Sequence, residues 1–378
     1  MTLGVPTETR PGERRVAMTP DAAGRLIKKQ GYQVQVERGA GTAAGFSDAA
    51  YEKAGAALVS REEALASDVV CYVQVPDDRD HLREGAVLVG FMSPLDDPAT
   101  AADLARRGVT ALAMELVPRT TRAQRMDALS AMSTVAGYKA VLMAADHLPK
   151  FFPLLTTAAG TLRPAKLLVL GAGVAGLQAL ATARRLGAVT SGYDIRAAAA
   201  EQVESVGAKF VTLDVKTADA DDGRGYAKAL KEDEQRRQTE ALMAVVAEHD
   251  VVITTALIPG RAAPQLITKA GVEAMKAGSV IVDLAAPNGG NCAVTQPGET
   301  VDHGGVTVLG PTNLAAEMPL HASEMYAKTV STLVAEFTDD AGAFVPNPDD
   351  EIFAGCCVAR GGAVVHERVK PLVAAPSA

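Results

Sequence analysis

No two of the four cysteines, Cys71, Cys292, Cys356 and Cys357, are spaced as CxxC, so the chain lacks the signature of a disulfide framework or a tetrahedral zinc site. The adjacent Cys356 and Cys357 suit neither, and buried, reduced thiols are the expectation. None of the six histidines falls at a metal-ligand spacing, and no metal site is expected. Positive charge is also in deficit: 37 Lys and Arg against 45 Asp and Glu leave a formal charge of -8, which disfavours nucleic acid and anionic lipid as partners. The N-terminus, MTLGVPTETRPGERR, lacks the apolar run of a signal peptide, so nothing in it directs export. The longest uncharged run, Leu167 to Ala183, is punctuated by Gly171, Gly173 and Gly176, and no transmembrane helix is expected.

What is present is an ordinary globular balance, 48% hydrophobic and 22% charged over 378 residues, enough for two domains. Short apolar strands alternate with helical stretches: TLGVP, a helix after Thr19, YQVQVE, a helix after Ser47, then DVVCYVQV, AVLVGFM and VTALAMEL. Thr19 as N-cap, Pro20 at the first helical position and Gly31 past the end mark the first helix. The helical stretch TVAGYKAVLMAADHL, stopped by Pro149, reads as a connector to a second unit with strands KLLVLG, VTSGYDI, KFVTL, VVITTAL, SVIVDLA and TVLG. The fold class expected is α/β, two doubly wound (Rossmann-like) parallel-sheet domains with an interdomain cleft. An amphipathic helix, EMYAKTVSTLVAEF, and the glycine-punctuated tail EIFAGCCVARGGAVV follow, and pattern alone leaves their domain open.

The strand KLLVL runs straight into Gly171-Ala172-Gly173-Val174-Ala175-Gly176, and LQALATARRLGA continues as a helix. That is GxGxxG in its required setting. The first glycine permits the turn, the second the approach of a pyrophosphate, the third close packing of helix and strand. Asp194, at the end of the next strand with Ile195 and Arg196 after it, stands about twenty residues on, where an acid meets the ribose hydroxyls. A carboxylate there disfavours a 2'-phosphate, so NAD(H) is the expected cofactor. Arg196 either pairs with Asp194 or faces solvent.

A second polar run, PRTTRAQRMDALS, packs three arginines, a glutamine, an aspartate and several hydroxyls between Pro118 and Ser130, with no His, Cys or Lys. Thr121 with Gln124 three residues on fits a capping box, and Asp127 fits a helix dipole. A long, densely charged segment, VKTADADDGRGYAKALKEDEQRRQTEAL, stands where such a unit has a short connection; it reads as a loop that closes over ligand, or as a solvated helix.

In order and across nearly the whole length, GVPTETRPGERRVAMTP, PRTTRAQRMD, GAGVAGLQA, ALIPGRAAP and DLAAPNGGN resemble the NAD(H)-binding component, domain I, of proton-translocating nicotinamide nucleotide transhydrogenase. Alanine dehydrogenase shares much of this framework. It also carries a Lys in a VKEP-like motif, a His after the following strand and an Asp before Gly-Gly. Here Gln74 stands at the lysine position, Ser93 at the histidine position, and Ala286-Pro287-Asn288-Gly289-Gly290 at the last, while Arg15 is retained.

The resemblance implies that Arg119, Gln124, Asp127 and Ser130 orient the nicotinamide ring, that Tyr226 in GRGYAK folds over the nucleotide, and that hydride passes to or from NADP(H) on a partner domain. Transfer between two rings requires placement rather than acid-base groups, which accounts for the composition of the polar run. It further implies a homodimer, membrane-spanning partner subunits and proton translocation, with the chain cytoplasmic and peripheral on the inner face of the membrane. It places the tail on the first domain, giving residues 1–127 with 318–378 and residues 128–317. An alanine-dehydrogenase-like enzyme and a noncatalytic NAD(H)-binding module are the alternatives.

Overall fold

The computed structural model describes residues 1–213 and 232–374. It divides into two compact units, Met1–Met132 with Ala315–Ala378, and Ser133–Leu314. The first division falls inside the helix Ala128–His147 rather than at residue 127, because a continuous helix offers no break at which to divide.

In the first unit, β1 (Thr2–Val5), β2 (Gln33–Glu37), β3 (Ala57–Val59), β4 (Val69–Gln74), β5 (Val87–Phe91) and β6 (Thr110–Ala113) all pair parallel. β2 and β3 extend from one side of β1, and β4, β5 and β6 from the other, which is the doubly wound order. The helix Pro20–Gln30 is bounded as its residues dictate: the Thr19 hydroxyl accepts the Ala22 N–H, and Gly31, at φ 71°, closes on the Ile27 carbonyl. β4 carries five successive buried residues, Val69 to Val73, as a strand covered on both faces must. VTALAMEL is strand only to Ala113. It then tightens into a 3-10 turn, Met114–Leu116, which places Glu115 near the ends of β4 and β5.

The second unit opens with a hairpin, β7 (Leu155–Thr157) and β8 (Gly160–Leu162), and then forms β9 (Lys166–Leu170), β10 (Val189–Tyr193), β11 (Lys209–Phe210), β12 (Val251–Thr254), β13 (Val280–Asp283), β14 (Thr300–His303) and β15 (Val306–Leu309). Its sheet runs β11-β10-β9-β12-β13-β15-β14, parallel except for β14. The chain again reverses its winding at the first strand, β9. KFVTL supplies only a two-residue strand. The apolar helix Ala128–His147, long enough by composition to cross a bilayer, sends Ala140, Val141 and Ala144 into the core of this unit, with Leu167, Val169, Ala179 and Leu180.

The tail returns to the first unit. β16 (Cys357–Arg360) pairs antiparallel with β6, and β17 (Ala363–Val364) with β16, through Gly361 and Gly362 at φ 58° and 78°. Both turn residues need positive φ in a two-residue hairpin of this kind, which is why both are glycine.

Candidate nucleotide-binding site

The glycine run follows directly from β9, at the point where the sheet reverses its winding. Gly171 turns at φ 105°, and a Cβ there would stand 2.6 Å from Thr255 Oγ1. A Cβ at Gly176 would stand 1.9 Å from the Gly171 carbonyl oxygen, so the helix Val174–Arg185 seats against the strand only with glycine there. At Gly173 nothing lies within 4 Å of that position, and the residue is exposed. No side chain caps this helix, and its first internal bond runs from Leu177 N–H to the Gly173 carbonyl at 2.8 Å. The amides of Val174, Ala175 and Gly176 therefore precede the helical bonding pattern, at the positive end of the dipole, beside open space. This is a fitting cradle for a pyrophosphate.

Asp194 follows β10 beside the cradle. It accepts from the Ala172 N–H at 2.9 Å and from Arg196 three times, through N–H at 2.9 Å and through Nε and Nη2 at 3.0 Å each. Burial by itself raises its pKa, but the Arg196 and Ala172 hydrogen bonds outweigh that and hold the carboxyl below the usual range. Asp194 is thus an ionised acceptor, and Arg196 is its partner. Ile195 lies between them, partly buried. Tyr226 lies outside the described residues.

Sequence reasoning missed the network behind this edge. Asp283, fully buried at the end of β13, accepts from Thr254 Oγ1, Thr295 Oγ1 and the backbone N–H groups of Ala285, Asn291 and Cys292, at 2.7 to 3.0 Å. Asn291, also fully buried, accepts the Ala256 N–H and donates to the Ala256 and Pro264 carbonyls. The segments ALIPGRAAP and DLAAPNGGN are therefore tied together by one amide. The only signal for this in the sequence was the family resemblance that both segments carry.

In the first unit, Arg119, Gln124 and Arg125 are exposed on one short segment. The capping-box alternative does not hold: the 3-10 turn Ala123–Met126 has no side-chain cap, because the helix proper starts only at Ala128. Asp127 takes the capping role instead. Its Oδ1 accepts the Ser130 N–H at 2.8 Å, and its Oδ2 accepts the Ser130 hydroxyl at 2.6 Å. Arg122 anchors the segment to Asp350 and, at 3.6 Å, to Glu336.

At the ends of β1, β4 and β5 lies a set of buried carboxylates. Glu13 accepts from Arg15 Nε at 2.7 Å and Nη2 at 2.6 Å, and from Gln74 Nε2 at 3.2 Å. Glu8 accepts the N–H groups of Val73 and Gln74; burial pushes it up to about 8, with Glu13 adding to the rise and the two amides and Arg15 opposing it. Glu115, also raised by burial, binds the N–H groups of Met92 and Ser93, the latter at φ 48°. Gln74 and Ser93 thus stand beside a retained arginine, and neither is an acid or base at neutral pH.

The sequence matches the family descriptions "Alanine dehydrogenase/PNT, N-terminal domain" over residues 4–136 and "Alanine dehydrogenase/PNT, C-terminal domain" over residues 140–367. The chain belongs to the alanine dehydrogenase/PNT family. Within it, the chain is 45% identical to an NAD(P) transhydrogenase subunit alpha chain of Rhodospirillum rubrum, covering 97% of this chain and 98% of that one. It is 35% identical to the alanine dehydrogenase of Bacillus subtilis, over 80% of this chain and 74% of the relative. Among solved structures, the transhydrogenase from Sinorhizobium meliloti superposes with a TM-score of 0.88 at 41% identity, covering 97% of this chain and all of that one. An L-alanine dehydrogenase superposes at 0.82 with 27% identity, covering 99% of each chain. Both branches share the parallel-sheet, Rossmann-like architecture of this family member.

Proposed function

We infer that the chain is the NAD(H)-binding component of a proton-translocating transhydrogenase. NAD(H) binds at Gly171, Gly173, Val174, Ala175 and Gly176, with Asp194, flanked by Ile195 and Arg196, accepting from the adenosine ribose. Its nicotinamide exchanges hydride directly with NADP(H) on a partner domain. Arg119, Gln124, Asp127 and Ser130 orient the ring. Hydride moves only when the two rings stand within about 3 to 3.5 Å, so the work of these residues is positional. A membrane-spanning partner couples transfer to proton translocation, and the chain works as a homodimer on the cytoplasmic face of the membrane.

The observation that carries this over the alanine dehydrogenase branch is the environment of Arg15. A reductive amination must protonate and deprotonate substrate atoms. Around Arg15 stand an amide at Gln74, a hydroxyl at Ser93 and a guanidinium gripped by Glu13. That set supports ring-to-ring transfer, which needs no proton at the reacting carbon.

The test mixes the purified chain with the NADP(H)-binding domain of a transhydrogenase and follows reduction of a nicotinamide analogue by NADPH. Transfer that depends on both components is expected. Reductive amination of pyruvate by the chain alone would return it to the dehydrogenase branch. Inactivity in both assays would leave a binding module.

A further inference from the structure

The glycine cradle is held from outside by two residues that no dinucleotide fingerprint contains. In the helix Ala128–His147, Gly137 is a buried interior residue, a place where glycine is a poor helix former. Close contact explains it. A Cβ at 137 would lie 2.1 Å from the carbonyl oxygen of Ala175, 2.8 Å from its carbonyl carbon and 3.0 Å from its Cα. On the other side Thr255, just past β12, donates its hydroxyl to the Gly171 carbonyl at 2.8 Å and its N–H to the Leu170 carbonyl at 2.9 Å.

A peptide unit is planar and trans, so fixing its carbonyl fixes the N–H opposite. With the Gly171 carbonyl on Thr255, the Ala172 N–H is directed to Asp194, which it meets at 2.9 Å. With the Ala175 carbonyl against Gly137, the Gly176 N–H is directed out of the helix N-terminus. We propose that Gly137 and Thr255 are positioning residues of the nucleotide site: Thr255 sets Asp194 for the ribose, and Gly137 sets the first-turn amides for the pyrophosphate. This rests on the NAD(H) assignment of the cradle.

The two contacts have different ligand signatures. NADH, ADP and adenosine are titrated against the native chain and against Gly137→Ala, Thr255→Val and Thr255→Ser, with thermal unfolding recorded for each. Gly137→Ala weakens NADH and ADP about tenfold and leaves adenosine within about twofold, because the displaced amides face phosphate. Thr255→Val weakens all three ligands by about fivefold, and Thr255→Ser, which keeps the hydroxyl, restores them. Equal losses for ADP and adenosine in Gly137→Ala, or native-like binding of all three, overturn the role of Gly137. Equal affinities of Thr255→Val and Thr255→Ser overturn that of Thr255. If Gly137→Ala does not fold, the Thr255 pair decides. A native chain that binds no NADH removes the NAD(H) assignment, and this proposal with it.

Discussion

Arg15 grips Glu13 through two parallel hydrogen bonds, at 2.7 and 2.6 Å, with its side chain 4% exposed and that of Glu13 fully buried. A buried pair of this kind is costly to break from one side, because the survivor is left charged in a poor solvent. Glu13→Ala should therefore lower the unfolding free energy by about 3 to 5 kcal/mol in urea titrations. A loss under about 1 kcal/mol would place the pair among ordinary surface ion pairs.

The same pair bears on chemistry. Supplied with NADH, pyruvate and ammonium, the chain alone should show no oxidation of NADH, since neither Gln74 nor Ser93 can exchange the protons an imine reduction demands. Measurable alanine formation would contradict this directly.

Asp194 is ionised by virtue of its bonds to Arg196 and Ala172, so it should accept from ribose hydroxyls and repel a 2'-phosphate. Asp194→Ala should weaken NADH by about 1 to 3 kcal/mol in fluorescence titration. Comparable native affinities for NADH and NADPH would rule out this role.

Asp127 carries two roles that substitution can separate. As N-cap of the helix Ala128–His147, its replacement by Ala should cost about 1 kcal/mol of stability, whereas Asn caps as well as Asp and should cost little. Gln124 makes no cap, so Gln124→Ala should leave the unfolding curve unmoved. Both Gln124→Ala and Asp127→Asn should slow hydride transfer with the partner domain while leaving NADH affinity intact, the signature of placement in the transition state. Unchanged transfer rates in both would reduce Asp127 to its capping role.

Glu8 should impose a pH dependence on stability. Burial raises its pKa from an ordinary 4.5 to about 8, so as pH rises through that window the unfolded chain ionises first and the folded state loses relative stability. The contribution is fully lost only above about 8. Arg15, Glu13 and the Val73 and Gln74 amides set the balance. Glu8→Gln removes the ionisation, so its thermal midpoint should improve relative to the native chain between pH 5 and pH 9. A constant difference between the two across that range would show that Glu8 ionises alike in both states.

The doubly wound order and the helix from Pro20 to Gln30 were legible because their signals are local: Thr19, Pro20 and Gly31 act on their own turn of backbone. The strand, the glycines and Asp194 were legible because one unit of some thirty residues carries the whole pattern. The pairing of β16 with β6 was not, since nothing in CVAR names a partner on the far side of another unit. Asp283 read as the end of an apolar strand, and its five donors come from three separate segments. The Arg15–Glu13 pair was half visible: two residues apart in sequence, it needed burial to become more than charge on a loop.

The return of the tail to the first sheet reverses the order in which the halves can be finished. A ribosome delivers every strand of the second unit before β16 exists. Until then β6 presents an open edge, and Val16, whose N–H binds Ser323 Oγ at 2.9 Å across 307 residues, waits for its acceptor. The half that is synthesised first is completed last, with an unpaired edge as its vulnerable stage. Nascent chains arrested just after Glu336 should accordingly show hydrogen-exchange protection in β9, β12 and β13 and an unprotected β6.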